Sequence, residues 1–293
     1  MSQLRVTPDK IHSWLSNPHR RPLVMGILNL TPDSFSDGGQ FADKDAAIAH
    51  VREMVAHGAD WIDVGAESTR PGSQRTSAQE QLRRLDPVLK DLRTAIPAVL
   101  SIDTTLSAVA QAALDAGFDV INDISAGRDD PQLFRLAAKR KAPIILMHMQ
   151  GTPKTMQLAP HYQDVTREVR QFLAERAATA QDAGIARENI LVDPGIGFGK
   201  TVEHNLQLLR DLPLIAANGY PLVVGASRKG FIGAITGEPR EGGRAFGTAA
   251  TVAWSVANGA AIVRVHDVGP MSQVVRMVQA IRGEVAQKAC RSS

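Results

Sequence analysis

Short apolar runs that stop on a polar residue recur along the chain. LVMGILN stops at Asn29, WIDVGAE at Glu67, VLSID at Asp103, DVIND at Asn122 and Asp123, ILVD at Asp193 and PLVVGAS at Ser227. PIILMH stops at His148, and AIVRVH carries Arg264 and His266. Between these runs, apolar residues recur at helical spacing, as with Ala47, Ile48, Val51, Met54 and Val55 inside a helix expected over Lys44–His57. Eight strand-then-helix units in about 250 residues predict an α/β fold of one domain, a (β/α)₈ TIM barrel. In that fold the C-terminal ends of the strands converge on one mouth. The polar endings are therefore expected to be neighbours in space. The barrel is expected over residues 22–283, after a polar lead-in at 1–21 and before a tail at 284–293.

Other helix signals sharpen the pattern. Ser77-Ala-Gln-Glu80 has the form of a capping box, and Pro87 predicts a bend in the helix it opens. Asp130-Pro131 reads as a cap followed by proline at the first helical position. Tyr162–Ala183 is predicted to be the longest helix. The stretch from Ala245 to Val263 is the most membrane-like. Asn258 and Gly259 interrupt it, so a buried helix followed by a strand is the better reading.

Composition narrows the function classes. The chain has 293 residues, 44% of them hydrophobic, enough for one large core. Its 33 bases and 30 acids leave a net charge of +3, too balanced for a nucleic-acid binder. Cys290 is the only cysteine, and the first residues, MSQLRVTPDK, lack the apolar core of a signal peptide. A cytoplasmic protein, with no membrane and no nucleic acid among its partners, is expected.

Two loops beyond the strand ends stand out. Thr31–Gly39 (TPDSFSDGG) and Ser68–Ser73 (STRPGS) are polar and contain glycine. They are ordinary turns or lids over a substrate; the length of the first favours a lid. Asp103, Asn122 and Asp193 each end a strand. One such residue alone reads as a helix cap. Three at equivalent barrel positions read as a site, for a heterocycle rich in N–H donors or for a metal. Ser227-Arg228-Lys229 and Arg264-Val-His266 end strands seven and eight, where barrels commonly bind phosphate. Arg264 and His266 are two apart and share one side of their strand. The bland alternative for Arg264 is an ion pair with a neighbouring acid. Asn29, with Asp33 and Ser34, could serve a divalent ion, because Mg²⁺ on a diphosphate needs only one or two protein oxygens. His148 is as readily structural as functional. The run Asp193-Pro-Gly-Ile-Gly-Phe-Gly-Lys200 has neither P-loop nor dinucleotide spacing. It is a flexible turn or a backbone that passes close beneath a flat ligand.

Several segments together resemble the dihydropteroate synthase family of pterin-binding barrels. They are NLTPDSFSDGG (29–39), ESTRPG (67–72), SIDT (101–104), INDIS (121–125), DPGIGFGK (193–200), GASRKGFIG (225–233) and VRVHDV (263–268). The resemblance implies a transferase of folate biosynthesis, a sulfonamide target. It would join a pterin diphosphate to 4-aminobenzoate, giving 7,8-dihydropteroate and diphosphate. It implies that Asp103, Asn122, Asp193 and Lys229 hold the pterin, with Met147, Ile124, Gly225 and Phe198 packed close. Thr69, Arg70, Arg264, His266 and Asn29 would face the diphosphate and its Mg²⁺. Ser227, Pro71 and Phe198 would line the 4-aminobenzoate pocket. Asp103, Arg70 and Lys229 would carry catalysis. The family is usually a homodimer, which makes the small-residue helix Gly243–Ala257 a candidate interface. The alternatives are a pterin-binding methyltransferase, which would not need the two loops or the bases after strands seven and eight, and a non-catalytic pterin-binding paralogue.

Overall fold

Eight parallel strands close on themselves in chain order. The structure, a computed structural model, describes residues 6–31 and 39–284. The strands are β1 (Leu23–Asn29), β2 (Trp61–Gly65), β3 (Val99–Asp103), β4 (Val120–Asp123), β5 (Ile144–Met147), β6 (Ile190–Asp193), β7 (Leu222–Val224) and β8 (Ala260–Val265). β8 pairs back onto β1, with Met25 opposite Arg264, and this closes the TIM barrel.

Side chains alternate along each strand, so one residue in two faces the barrel axis. In β2, Ile62 and Val64 pack outward with the helices, whereas Trp61 joins an inner cluster. Met25, Val99, Val120, Ile145 and Leu191 belong to that same inner cluster. The lead-in completes it. A short helix α1 (Ile11–Ser16) brings Ile11, Trp14 and Leu15 against these residues, together with Val6. Trp14 packs edge-on against Trp61, with ring centroids 5.9 Å apart. The segment read as polar from its composition thus seals the N-terminal end of the barrel.

The outer helices follow the predicted order with adjusted bounds. α2 (Gly39–Ala56) begins one turn before the expected helix, and its Ala47, Val51, Met54 and Val55 are buried. The predicted bend at Pro87 is a break, giving α3 (Ala78–Leu85) and α4 (Leu89–Ala95), because proline lacks the N–H that a continuous helix needs there. Ser77 caps α3 by accepting from Glu80 N–H. α5 (Ser107–Asp115) and α6 (Gln132–Arg140) follow. The Asp130 carboxylate accepts from both Gln132 and Ser107 N–H, while Pro131 stands just before α6. α7 (Val165–Asp182) starts later than predicted, at an Asp164 cap, and α2 equals its 18 residues. α8 (Val202–Arg210), α9 (Leu212–Ala216), α10 (Gly230–Thr236), α11 (Ala245–Ala257) and α12 (Val268–Ile281) complete the ring. The membrane-like stretch is α11 followed by β8. Among the described residues, no helix is long and apolar enough to cross a membrane.

Candidate active site

The inward positions that are apolar at the N-terminal strand ends become polar at the C-terminal ends. Asp103 on β3 stands in register with Asn122 on β4, and Met147 on β5 with Asp193 on β6. With Gly225, Lys229 and Arg264 these residues line a narrow pocket in the barrel mouth. Above it opens a cleft of about 690 Å³. Asn29, Thr69, Arg70, Pro71, Ser227 and His266 line that cleft. The two cavities share Thr69, Asp103, Phe198, Gly225, Lys229 and Arg264, so they form one stepped site. Two acids and an amide sit deep, Lys229 and Arg264 span both levels, and Arg70, His266, Ser227 and Asn29 sit outside.

None of Asp103, Asn122 and Asp193 is a helix cap; the residues before α5, α6 and α8 are Leu106, Pro131 and Thr201. Arg264 Nε lies 2.6 Å from Asp63 Oδ2, and its Nη2 lies 2.8 Å from Asp103 Oδ2. Asn122 Nδ2 donates to the same Asp63 oxygen at 2.9 Å. The ion pair considered for Arg264 therefore exists, and it crosses the centre of the site. Burial, followed by the Asp63 carboxylate, pushes Asp103 up to about 7 against the opposing pull of Arg264. Burial likewise lifts Asp193 to about 6, although Gly195 N–H donates to its Oδ1 at 2.6 Å. Lys229 is lowered to about 8 by burial and by Arg264, and its Nζ lies 4.0 Å from the Phe198 ring centroid. His266 falls to about 3 through burial and the nearby Arg264, Arg228 and Lys229 charges. It is a neutral imidazole at pH 7, a hydrogen-bonding group and not a cation.

Local backbone places these groups. Arg228 adopts a left-handed φ of 59°. Its guanidinium pairs with Asp267, and its N–H donates to Thr248 Oγ1 at 3.1 Å. This pins the turn that carries Ser227 on one side and Lys229 on the other. Ser227 Oγ accepts from His266 N–H at 3.2 Å, joining the loops after β7 and β8. After β6, Gly195 has φ 66°, and a Cβ there would meet the carbonyl oxygen of His148 at 1.9 Å. Only glycine fits, so the run 193–199 is a shaped turn and not a flexible one. The loop carrying Thr69, Arg70 and Pro71 is tied down by Gly72 N–H, which donates to Pro153 O at 3.0 Å. Arg70 Nη2 reaches Glu241 Oε2 at 3.2 Å across the mouth.

The pterin-binding enzyme family matches residues 25–266 of this chain. Dihydropteroate synthase from Synechocystis sp. is 48% identical over 262 residues, covering 89% of this chain and 91% of that protein. The chain belongs to the dihydropteroate synthase family of pterin-binding enzymes. Solved relatives share the fold. Xanthomonas albilineans dihydropteroate synthase with 4-aminobenzoic acid aligns with a TM-score of 0.85 and 42% identity, covering 90% of this chain and 94% of that one. The Xanthomonas albilineans enzyme in complex with 7,8-dihydropteroate aligns with a TM-score of 0.81 and 39% identity, covering 91% of this chain and 95% of that one.

Against this family the strand-end residues fall into four groups. Asp103, Asn122, Asp193, Ser227, Arg264 and His266 enter the stepped site. Glu67 borders the cleft, but its oxygens are held by Thr76 N–H and Gln81 Nε2, both at 3.0 Å, so it anchors its loop. Asp123 faces the other way and accepts from Ser125 and Gly127 N–H. His148 is a core histidine, 6% exposed and edge-on to Phe172, and burial holds it down to about 2. Asp33 and Ser34, with residues 32–38 of the first loop, lie outside the described residues, as does the tail after Glu284. Asp63 and Lys200 were given no role by the sequence. Asp63 carries the same signal as Arg264, a charge inside an apolar strand. Met156, Gln157 and Pro160 of the β5–α7 loop form a further wall of the cleft that no run ending announces.

Proposed function

We propose that the protein joins (7,8-dihydropterin-6-yl)methyl diphosphate to 4-aminobenzoate, releasing diphosphate and 7,8-dihydropteroate for tetrahydrofolate synthesis. The stepped site carries this reading. A donor-rich ring suits the deep acceptors Asp103, Asn122 and Asp193, beside Met147 and Phe198. An anionic leaving group suits Thr69, Arg70, Arg264 and His266 above them. Ser227 and Pro71 in the cleft, with Phe198 at the border of the two cavities, are left for 4-aminobenzoate.

In this reading the C–O bond to the diphosphate breaks first, and its electron pair leaves with the diphosphate oxygen. Arg70 and Arg264 take up that charge, and neutral His266 donates a hydrogen bond. Positive charge develops on the pterin methylene next to Asp103. The ionised Asp103 carboxylate opposes that charge, and the neighbouring cation in turn favours the ionised form. The aniline nitrogen then attacks the methylene carbon, its lone pair forming the C–N bond, and the proton it sheds passes to solvent. Lys229 holds the pterin in line. Mg²⁺ fits this donor set: Asn29, whose side chain carries an amide oxygen, lines the cleft, and an ion on a diphosphate needs few protein ligands. The ion would neutralise part of the leaving charge. A methyltransferase or a non-catalytic binder has no use for the outer bases, and nothing here favours either.

A cytoplasmic homodimer is the proposed form. Phe246 is 91% exposed and Trp254 50% exposed, two turns apart on α11, which offers an apolar face to a second copy. The test of the activity is direct: purified protein with the pterin diphosphate, 4-aminobenzoate and Mg²⁺ should yield dihydropteroate. No product under these conditions overturns the reading.

A further inference from the structure

Lys200 is 2% exposed, and none of the reaction steps above uses it. An ammonium buried this deeply is costly unless each of its three N–H donors is matched. They are matched. Nζ lies 3.0 Å from Gly195 O, 2.9 Å from Phe198 O and 3.0 Å from His148 Nδ1. Burial lowers Lys200 to about 7 against the pull of Asp193; in its ammonium form it has no lone pair to offer, so His148 Nδ1 is then the acceptor and the ring proton sits on Nε2. His148 is held neutral by burial first, and then by Lys200 and Arg128, which agrees with that assignment.

The two carbonyls belong to the turn between β6 and α8. That turn has no ladder or helix of its own: one backbone bond, from Phe198 N–H to Gly195 O at 3.0 Å, closes it, and side chains satisfy other backbone groups. Asn205 Oδ1 accepts from Gly197 N–H at 2.6 Å, Gln157 donates to Gly197 O at 2.8 Å, and Tyr162 OH donates to Gly199 O at 2.8 Å. Among the described residues, Lys200 alone grips the turn with one side chain at two points, on either side of Ile196. Each point leads to a group of the deep pocket. The Gly195 peptide is held by Lys200 at its carbonyl, while the N–H of Gly195 orients the Asp193 carboxylate at 2.6 Å. Phe198 is held at its carbonyl, and its ring lies under the Lys229 ammonium.

We infer that Lys200 is a positioning residue of the pterin pocket: its ammonium shapes the Gly195–Phe198 turn and thereby aims the Asp193 carboxylate and the Lys229 ammonium. The inference rests on the reading of that pocket as a pterin site. It differs from a purely structural role in one respect. If Lys200 acts through Asp193, its removal costs less binding once Asp193 is gone; a residue that only supports the fold costs the same in both backgrounds.

The experiment is a double-mutant cycle on the full chain, with 6-hydroxymethylpterin as the calorimetric probe. Lys200→Met, which keeps the length and loses the donors, should weaken the probe by at least about tenfold. In an Asp193→Ala background the same change should cost no more than about threefold. If Lys200→Met does not fold, Lys200→Gln keeps two donors and should show a smaller loss with the same non-additivity. Equal losses in both backgrounds, or unchanged affinity, overturn the inference. Wild-type protein that fails to bind the probe overturns the pterin reading itself. Wild type that binds, with variants that match it, overturns only the role of Lys200.

Discussion

The same eight strands build both ends of the barrel, yet the two ends are chemical opposites. At the N-terminal end, Met25, Trp61, Val99, Val120, Ile145 and Leu191 fill the interior, and Trp14 with Leu15 seals it. At the C-terminal end the inward positions become Asp103, Asn122, Asp193 and Arg264. In β3 the change takes two steps along the same face, from Val99 through Ser101 to Asp103. In β2 it is sharper, from Trp61 to Asp63. One end is apolar and stabilises the fold. The other holds partly desolvated charges, several of them displaced from their ordinary pKa, and is poised for ligand. Stability and chemistry are thus separated along the barrel axis.

The largest expected effect tests that separation from below. Trp14 is 6% exposed, packs on Trp61 and donates from Nε1 to Arg21 O at 3.0 Å. Trp14→Ala should destabilise the fold by about 3–5 kcal/mol through lost burial and a cavity. Pterin affinity, measured where the variant is still folded, should stay within about twofold. A parallel loss of affinity would show that the floor and the mouth are coupled.

The mirror test is Asp193→Ala. Losing a charged acceptor from a buried site should weaken pterin binding by about 1.5–3 kcal/mol. Fold stability should barely move, by less than about 1 kcal/mol, because relief of a buried carboxylate offsets the loss of the Gly195 N–H acceptor. Unchanged affinity in a calorimetric titration removes Asp193 from the pterin site; a collapse of the fold makes it a structural residue.

The sequence made much of this contrast legible, for a physical reason. An inward position in a strand is apolar by default, so a polar residue that ends an apolar run stands out. That rule finds Asp103, Asn122 and Asp193, while Arg264 stands out as a charge inside an apolar run. It fails for Asp63, where the run continues to Glu67 and draws attention to a loop anchor instead. It also overrates His148, whose ring belongs to the core. Lys200 was out of reach because its partners on β5 and in its own turn meet only after the barrel closes. Ile11, Trp14 and Leu15 show helical spacing in the sequence, but nothing there says that they face Trp61. Pro87 predicts a bend where the structure has a break, since sequence alone does not say whether packing keeps two helical segments collinear.

A pH titration sharpens the upper end of the comparison. Burial raises Asp193 to about 6, so its carboxyl keeps a proton over a range where an ordinary aspartate has lost it. The ionised acceptor is present above that value and is lost as pH falls through it. Pterin affinity should therefore drop between pH 7 and pH 5, approaching tenfold, or about 1.4 kcal/mol, per unit on the acid side. Asp103, raised to about 7 by burial and Asp63, adds a contribution that begins at higher pH. Asp193→Asn should remove the lower of the two steps and leave the upper. A flat profile in the wild type means that neither carboxylate must be ionised to bind.

The smallest effect lies at the rim. Arg70 and Glu241 pair at 3.2 Å, with side chains 70% and 54% exposed. Exposed pairs are worth about 0–1 kcal/mol and are screened by salt, so Glu241→Ala should leave thermal stability unchanged. Its effect on function has a definite sign. If Arg70 takes charge from the diphosphate, Glu241 competes for the same guanidinium in the free protein, and its removal frees Arg70 for substrate. KM for the pterin diphosphate should fall, by no more than about fivefold given the upper limit for such a pair. The gain should shrink in high salt, where the pair is already weakened. Steady-state kinetics at low and high ionic strength would decide the point. A rise in KM would mean that Glu241 holds Arg70 in its working position, and the rim would then be preorganised in the same sense as the floor of the pocket.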